Sequence, residues 1–143
     1  MKNNATLLYA EDEDIIRESF TEIFSKYFTN VITCNNGTDA LRLYEENKID
    51  ITILDVTMPG IDGLTLAAKI RELDKKIEII MLTAHSEKDK LLKAVNLHLL
   101  SYLVKPVKKD ELNDTLNRAI DRLSKKNTID FSNGYSFDTK AVI

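Results

Sequence analysis

Five residues able to do chemistry each stand just past a short apolar run: Glu11 and Asp12 after TLLYA, Asp55 after ITIL, Thr83 after IIML, and Lys105 after YLV. Brought together, they would form an anionic oxygen site with one hydroxyl and one ammonium. Three neighbouring carboxylates repel one another by up to ~4 kcal/mol per pair at ~4 Å in a protein-like dielectric, so such a site demands a cation. A hard divalent ion, Mg²⁺ or Mn²⁺, suits oxygen donors, and Mg²⁺ commonly takes one or two protein carboxylates while keeping waters and sharing phosphate oxygens. With Lys105 and the Thr83 hydroxyl added, the set matches phosphoryl transfer to a carboxylate. An Asp55 oxygen attacks in line to give an acyl phosphate, while the metal and Lys105 neutralise the equatorial oxygens. Singly, each residue has a plainer role. Asp55 caps a turn, Glu11 and Asp12 are a solvated helix start, Thr83 is a turn residue, and Lys105 before Pro106 is a loop cation. Their recurrence at successive run ends favours one shared site.

Such a site needs strands that end side by side, and the apolar spacing supplies them. Residues 6–10 read as a strand; Asp12 or Asp14 then caps a helix in which Ile15, Ile16, Ser19, Phe20, Ile23, Phe24 and Tyr27 recur at helical spacing. Residues 31–34 form a second strand. Gly37 breaks the chain, and Ala40, Leu41, Leu43 and Tyr44 mark a second helix ending near Asn47. Residues 51–54 form the third strand, after which Pro59, Gly60 and Gly63 hold off a helix until Leu64. A helix over 64–73, a strand over 77–82, a helix over 87–97 and a strand over 102–104 follow. Asp110 opens a last helix, with Leu112, Leu116, Ala119, Ile120 and Leu123 along one stripe. Five strand-helix units in succession predict an α/β fold: a five-stranded parallel sheet with helices on both faces. The expected strand order is the flavodoxin-like 2-1-3-4-5, in which ligands gather outside the carboxyl ends of the strands near strands 1 and 3.

The chain has 143 residues, enough for one domain with a single core. A formal charge of −3 argues against a nucleic-acid surface here. Cys34 is the only cysteine, so no intramolecular disulfide can form, and its place at the end of VITC reads as a small buried hydrophobe in a reducing compartment. The first apolar run is too short for a signal-peptide core and no stretch approaches a membrane span, so a cytoplasmic protein is expected.

The motifs LLYAEDE, LDVTMPGIDGL, IIMLTAHS and YLVKP, in this order and spacing, resemble those of the receiver (CheY-like) domain of two-component response regulators over residues 5–123. The resemblance implies a phosphorylation-dependent signalling switch in which a histidine kinase phosphorylates Asp55. It implies Mg²⁺ held by Glu11, Asp12, Asp55 and the backbone carbonyl of Thr57, with Thr83 turning inward to the phosphoryl group and Lys105 contacting it. It further implies that Tyr102 swings inward as an aromatic switch into the space Thr83 leaves; simple packing on the edge strand is the plainer role for Tyr102. Such a domain catalyses only its own phosphorylation and dephosphorylation. Thr57 and His85, two residues past Asp55 and Thr83, flank the path of an attacking water, so the phosphoryl lifetime should depend on them. Because neither is an acid or a side-chain amide, slow hydrolysis is expected. The sequence departs from many relatives at His98, Leu99, Leu100 and Ser101, where Gly-Ala and an Asp are common before the aromatic residue. Ser101 removes a carboxylate from the seam through which such domains form homodimers, the face of the fourth helix, fifth strand and fifth helix. Leu97, Leu99 and Leu100 read either as a hydrophobic partner surface or as core.

Two rival chemistries fit less well. Haloacid-dehalogenase-type phosphohydrolases also use a strand-end Asp, but with a second Asp two residues on, where this chain has Thr57. A flavodoxin-like cofactor binder needs a phosphate loop after strand 1, where this chain reads EDED. His85 and His98 have no partner ligand at helical spacing, which favours loop and helix-end roles over metal binding. The expected organisation is a receiver over 1–126 and a linker over 127–143 that opens a truncated output domain. In that tail, Ile129, Phe131, Tyr135 and Phe137 flank Ser132, Asn133 and Gly134 as a hairpin would, a pattern similar to the first strands of an OmpR-type DNA-binding domain. The alternative is a stand-alone receiver acting by protein-protein contact; DNA enters only through the output domain.

Overall fold

The computed structural model describes residues 2–133. Five strands and the segments between them alternate: β1 (Asn3–Ala10), α1 (Asp14–Phe24), β2 (Phe28–Cys34), α2 (Gly37–Glu46), β3 (Ile51–Asp55), α3 (Gly63–Leu73), β4 (Glu78–Ala84), a 3₁₀ segment (His85–Leu97), β5 (Ser101–Lys105) and α4 (Lys109–Asn133). The sheet is parallel in the order β2-β1-β3-β4-β5, as the strand-helix repeat predicts.

Side chains alternate across the strands and divide the core into two layers. On one face, Leu7, Tyr9, Ile51, Ile53, Ile80, Leu82 and Leu103 meet Phe24 of α1 and the α4 stripe Leu112, Leu116, Ala119 and Leu123. On the other, Leu8, Ala10, Leu54, Ile79 and Met81 meet Ala40 of α2 and Leu66, Ala67 and Ile70 of α3. Leu97 and Leu99 pack on this second layer and Leu100 on the first, so their core reading holds.

Several local expectations need correction. Neither Asp12 nor Asp14 caps α1; the N-cap is Glu13, with no side-chain cap bond. Gly37 opens α2 rather than breaking the chain, with Asn36 as N-cap accepting from the Asp39 amide at 2.7 Å. Ile15 is 80% exposed, off the buried stripe of α1. The α-helix expected over 87–97 is a 3₁₀ segment. It leaves β4 with no intervening loop, and its far end is gripped by Arg71. The last helix runs to Asn133, so residues 129–133 are helical and not the first strand of a hairpin; the rest of the expected hairpin lies outside the described residues. Here the period of the preceding helix wins over a short apolar alternation that has no sheet to join.

Two long-range polar anchors hold the sheet's surroundings. Arg71, 8% exposed, donates to the carbonyls of Asp74 (3.2 Å), Ile77 (2.8 Å), Leu97 (2.8 Å) and His98 (3.2 Å), tying the α3–β4 loop to the end of the 3₁₀ segment. His98 sits there at φ 53, the left-handed region that favours glycine. At the amino end of β4, Glu78 is buried and accepts from Arg122 at 3.0 Å and Lys126 at 2.6 Å, fastening α4 to the sheet.

Candidate functional site

β1 and β3 run side by side with Ala10 opposite Leu54, so the residues that follow, Glu11 and Asp55, leave the sheet as neighbours. Alternation puts Asp55 on the face of Ile51 and Ile53, Glu11 on that of Leu7 and Tyr9, and Lys105 on that of Leu103, all in the α1/α4 layer. The result is a short charged chain: Lys105 Nζ donates to Glu11 Oε1 at 3.0 Å and to Asp55 Oδ2 at 3.1 Å. Glu11 is fully buried and Asp55 4% exposed, while Asp12 is exposed at the rim. Carboxylate oxygens of Glu11, Asp12 and Asp55 lie within 4.8 Å of one another.

Backbone bonds fix these positions. The Glu11 amide donates to the Cys34 carbonyl at 3.1 Å, continuing the β1–β2 ladder past its end, and Arg17 Nη1 donates to the Glu11 carbonyl at 2.9 Å. The Glu13 amide holds Glu11 Oε2 at 3.2 Å. On the β3 side, the Val56 amide reaches the Leu82 carbonyl and the Gly63 amide reaches the Val56 carbonyl, both at 2.8 Å. Gly63 must be glycine for a steric reason: a Cβ there would lie 2.0 Å from the Asp55 carbonyl oxygen. The start of α3 is thereby pressed against the backbone of Asp55.

The electrostatics are those of a site that wants a cation. Burial pushes the Asp55 carboxyl up to about 7; the Lys105 ammonium opposes that rise and the Glu11 charge adds to it. Burial alone would lower the Lys105 pKa, but its bonds to Glu11 and the Asp55 charge outweigh burial and raise it. One ammonium set against three carboxylates leaves net negative charge on hard oxygen donors, which fits Mg²⁺.

Thr83 does not join this group. On β4 it shares the face of Ile79 and Met81, in the layer opposite Asp55, and its hydroxyl donates to the Ala84 carbonyl at 3.1 Å. It is fully buried. Tyr102, opposite Met81 in the β4–β5 register, is 49% exposed. Thr57 is exposed, with its amide 3.4 Å from Asp55 Oδ1. His85 is the first residue of the 3₁₀ segment. The structure thus joins Glu11, Asp12, Asp55 and Lys105 directly, while the Thr83 hydroxyl bonds to the Ala84 carbonyl instead. Sequence reading missed Arg17 and Gly63 as supports of the site. The first carries no local signal beyond its helical phase, and the second was read only as a helix breaker.

Comparison with known proteins agrees with this geometry. The family described as "Response regulator receiver domain" matches residues 7–117. The chain is 35% identical over 116 residues to the "Positive alginate biosynthesis regulatory protein" of Pseudomonas aeruginosa, covering 79% of this chain and 46% of that protein. It is 30% identical over 111 residues to "Chemotaxis protein CheY" of Halobacterium salinarum, covering 78% of this chain and 92% of that protein. Among solved structures, the REC domain of AraT, a response regulator from Geobacillus stearothermophilus, superposes with a TM-score of 0.80 at 28% identity, over 87% of this chain and 99% of that one. The chain therefore spans less than half of the alginate regulator and nearly all of the chemotaxis protein. With its sheet order, its carboxylate cluster and its Lys105 bridge all in place, the chain belongs to the response regulator receiver domain family.

Proposed function

We propose that Asp55 is the phosphoacceptor of this receiver and that a histidine kinase is its phosphoryl donor. The observation that carries this reading is the Lys105 bridge between Asp55 and Glu11, which sets a cation beside a buried carboxylate at the edge of a three-carboxylate cluster. Glu11, Asp12 and Asp55, with the Thr57 carbonyl, would hold Mg²⁺, which when bound offsets charge on the phosphoryl oxygens. Lys105 then moves from the two carboxylates to the phosphoryl group, and the end of β4 rearranges so that Thr83 leaves the Ala84 carbonyl and donates its hydroxyl to the same group. Tyr102 and Thr83 lie on the same side of the sheet on adjacent strands, so Tyr102 turns inward to the volume Thr83 vacates. Thr57 and His85 set the phosphoryl lifetime. Incubation with acetyl phosphate and Mg²⁺, followed by intact mass, should show one added phosphoryl on the wild type and none on Asp55→Asn. Labelling of the variant, or full labelling in excess EDTA, would remove Asp55 from this role.

The output is the second part of the reading. Residues 1–126 form the receiver and 127–143 lead toward an output domain that acts on transcription through DNA, a reading supported by the likeness to the longer Transcriptional regulatory protein AfsQ1 of Streptomyces coelicolor, 32% identical over 123 residues. The exposed Leu92 and Val95 form the contact to a second copy through the face of the 3₁₀ segment, β5 and α4. Acetyl phosphate should shift the mass in light scattering toward a dimer, and Val95→Glu should prevent that shift.

A further inference from the structure

One buried polar atom beneath the site plays no part in the chemistry above. Tyr9 is fully buried, and its hydroxyl has no hydrogen-bond partner among the described residues. The ring is held edge-on to Phe24 at 4.9 Å and Phe20 at 6.4 Å between centroids, a seat that phenylalanine would fill equally well. A buried hydroxyl without a partner is costly, so its presence calls for a role in another state of the molecule. The neighbouring charges indicate which. Tyr9 precedes Glu11 by two residues on the same face of β1. Strand alternation sets the two side chains side by side on that face, and burial first, then the Glu11 and Asp55 charges, raise the pKa of the Tyr9 hydroxyl.

In the structure described, Glu11 Oε1 accepts from Lys105 at 3.0 Å and Oε2 accepts from the Glu13 amide at 3.2 Å. A divalent cation among the carboxylates repels the Lys105 ammonium and displaces it, and Oε1 then loses its donor where Glu11 is shut off from water. Glutamate also has one more rotatable bond than aspartate, so presenting one of its oxygens to a cation needs a second anchor.

We propose that Tyr9 is a positioning residue for Glu11, its hydroxyl donating to the Glu11 carboxylate once a divalent cation has displaced Lys105. The inference rests on the metal-site reading of Glu11, Asp12 and Asp55. No covalent step is involved, and the phenol stays neutral throughout.

The test is Tyr9→Phe in the full chain, with Mg²⁺ affinity measured by calorimetry and melting temperature measured in EDTA and in Mg²⁺. The variant should melt no lower than the wild type in EDTA yet bind Mg²⁺ about ten-fold more weakly. In a Glu11→Gln background the same substitution should change Mg²⁺ affinity by less than about two-fold. The chain has no tryptophan, so tyrosine dominates its near-ultraviolet absorbance. Mg²⁺ should perturb that absorbance in the wild type and in Tyr102→Phe but not in Tyr9→Phe. Equal Mg²⁺ affinities for wild type and Tyr9→Phe would overturn the proposal and leave Tyr9 a packing residue, whatever the melting temperatures. A tyrosine spectrum indifferent to Mg²⁺ would do the same. A wild type that binds no Mg²⁺ would instead overturn the metal-site reading, and this proposal with it.

Discussion

Asp55 carries two opposed demands at the scale of a single residue: it must be buried to shield an acyl phosphate and ionised to act as nucleophile and ligand. Burial raises its pKa from 3.8 to about 7, so between those values the folded chain holds a proton that the unfolded chain has lost. Without metal, the contribution of this group to stability is fully present below about pH 4 and is lost as pH rises through about 7. Asp55→Asn should therefore raise the melting temperature in EDTA at pH 8 by roughly 3–8 °C, an effect of about 1–2 kcal/mol. The advantage should shrink at pH 5 and disappear with saturating Mg²⁺, which stabilises only the wild type. Thermal melts at the two pH values, with and without the ion, check all three. Thr83 shows the limit of reading one residue from its neighbours. Its place after IIML predicts nearness to Asp55, but the parity of β4 turns its hydroxyl to the other layer.

Among the elements, the junctions carry more of the site than the strands do. Gly63 lets α3 start directly on the Asp55 backbone, so Gly63→Ala should cost about 3 kcal/mol or more and lower acetyl phosphate labelling, because relief of the clash displaces Asp55 itself. Denaturant melts read the first effect and intact mass the second. Arg71 performs a comparable task for the 3₁₀ segment. Burial lowers its pKa, with Glu78 and Asp74 partly offsetting, and its guanidinium is compensated by four carbonyls. Arg71→Met should leave those carbonyls without donors and cost about 2–4 kcal/mol. Hydrogen exchange should quicken first around residues 97–100, where the grip is lost; uniform quickening across the sheet would contradict a local anchor.

For the whole molecule, α4 links the two ends of the sheet. Its stripe covers the first core layer, and Arg122 and Lys126 reach Glu78 at the amino end of β4, far from Asp55. A chain ending at residue 126 should keep its stability to within about 1 kcal/mol and label fully with acetyl phosphate, if the receiver closes there. A chain ending at 121 removes both cations from the buried Glu78, along with Leu123, and should lose about 3–5 kcal/mol. Equal losses for the two truncations would move the boundary of the domain.

The order of elements, the parallel sheet and the four residues Glu11, Asp12, Asp55 and Lys105 follow from the sequence alone. Apolar runs with β-branched residues define strands, and in a parallel sheet the residue after each run must emerge on the same edge. The helix stripes of α2 and α4 follow as well, since a period of 3.6 is local. Tertiary structure decided what depends on distance across the fold. It made the segment read as a fourth helix a 3₁₀ segment whose far end bonds to Arg71. It buried Arg71 among carbonyls that lie as many as 27 residues away. It made Gly63 a contact rather than a breaker, turned the Thr83 hydroxyl to the Ala84 carbonyl, and left the buried Tyr9 hydroxyl without a partner among the described residues. Local periodicity encodes which face a residue takes, but only packing determines what stands opposite that face.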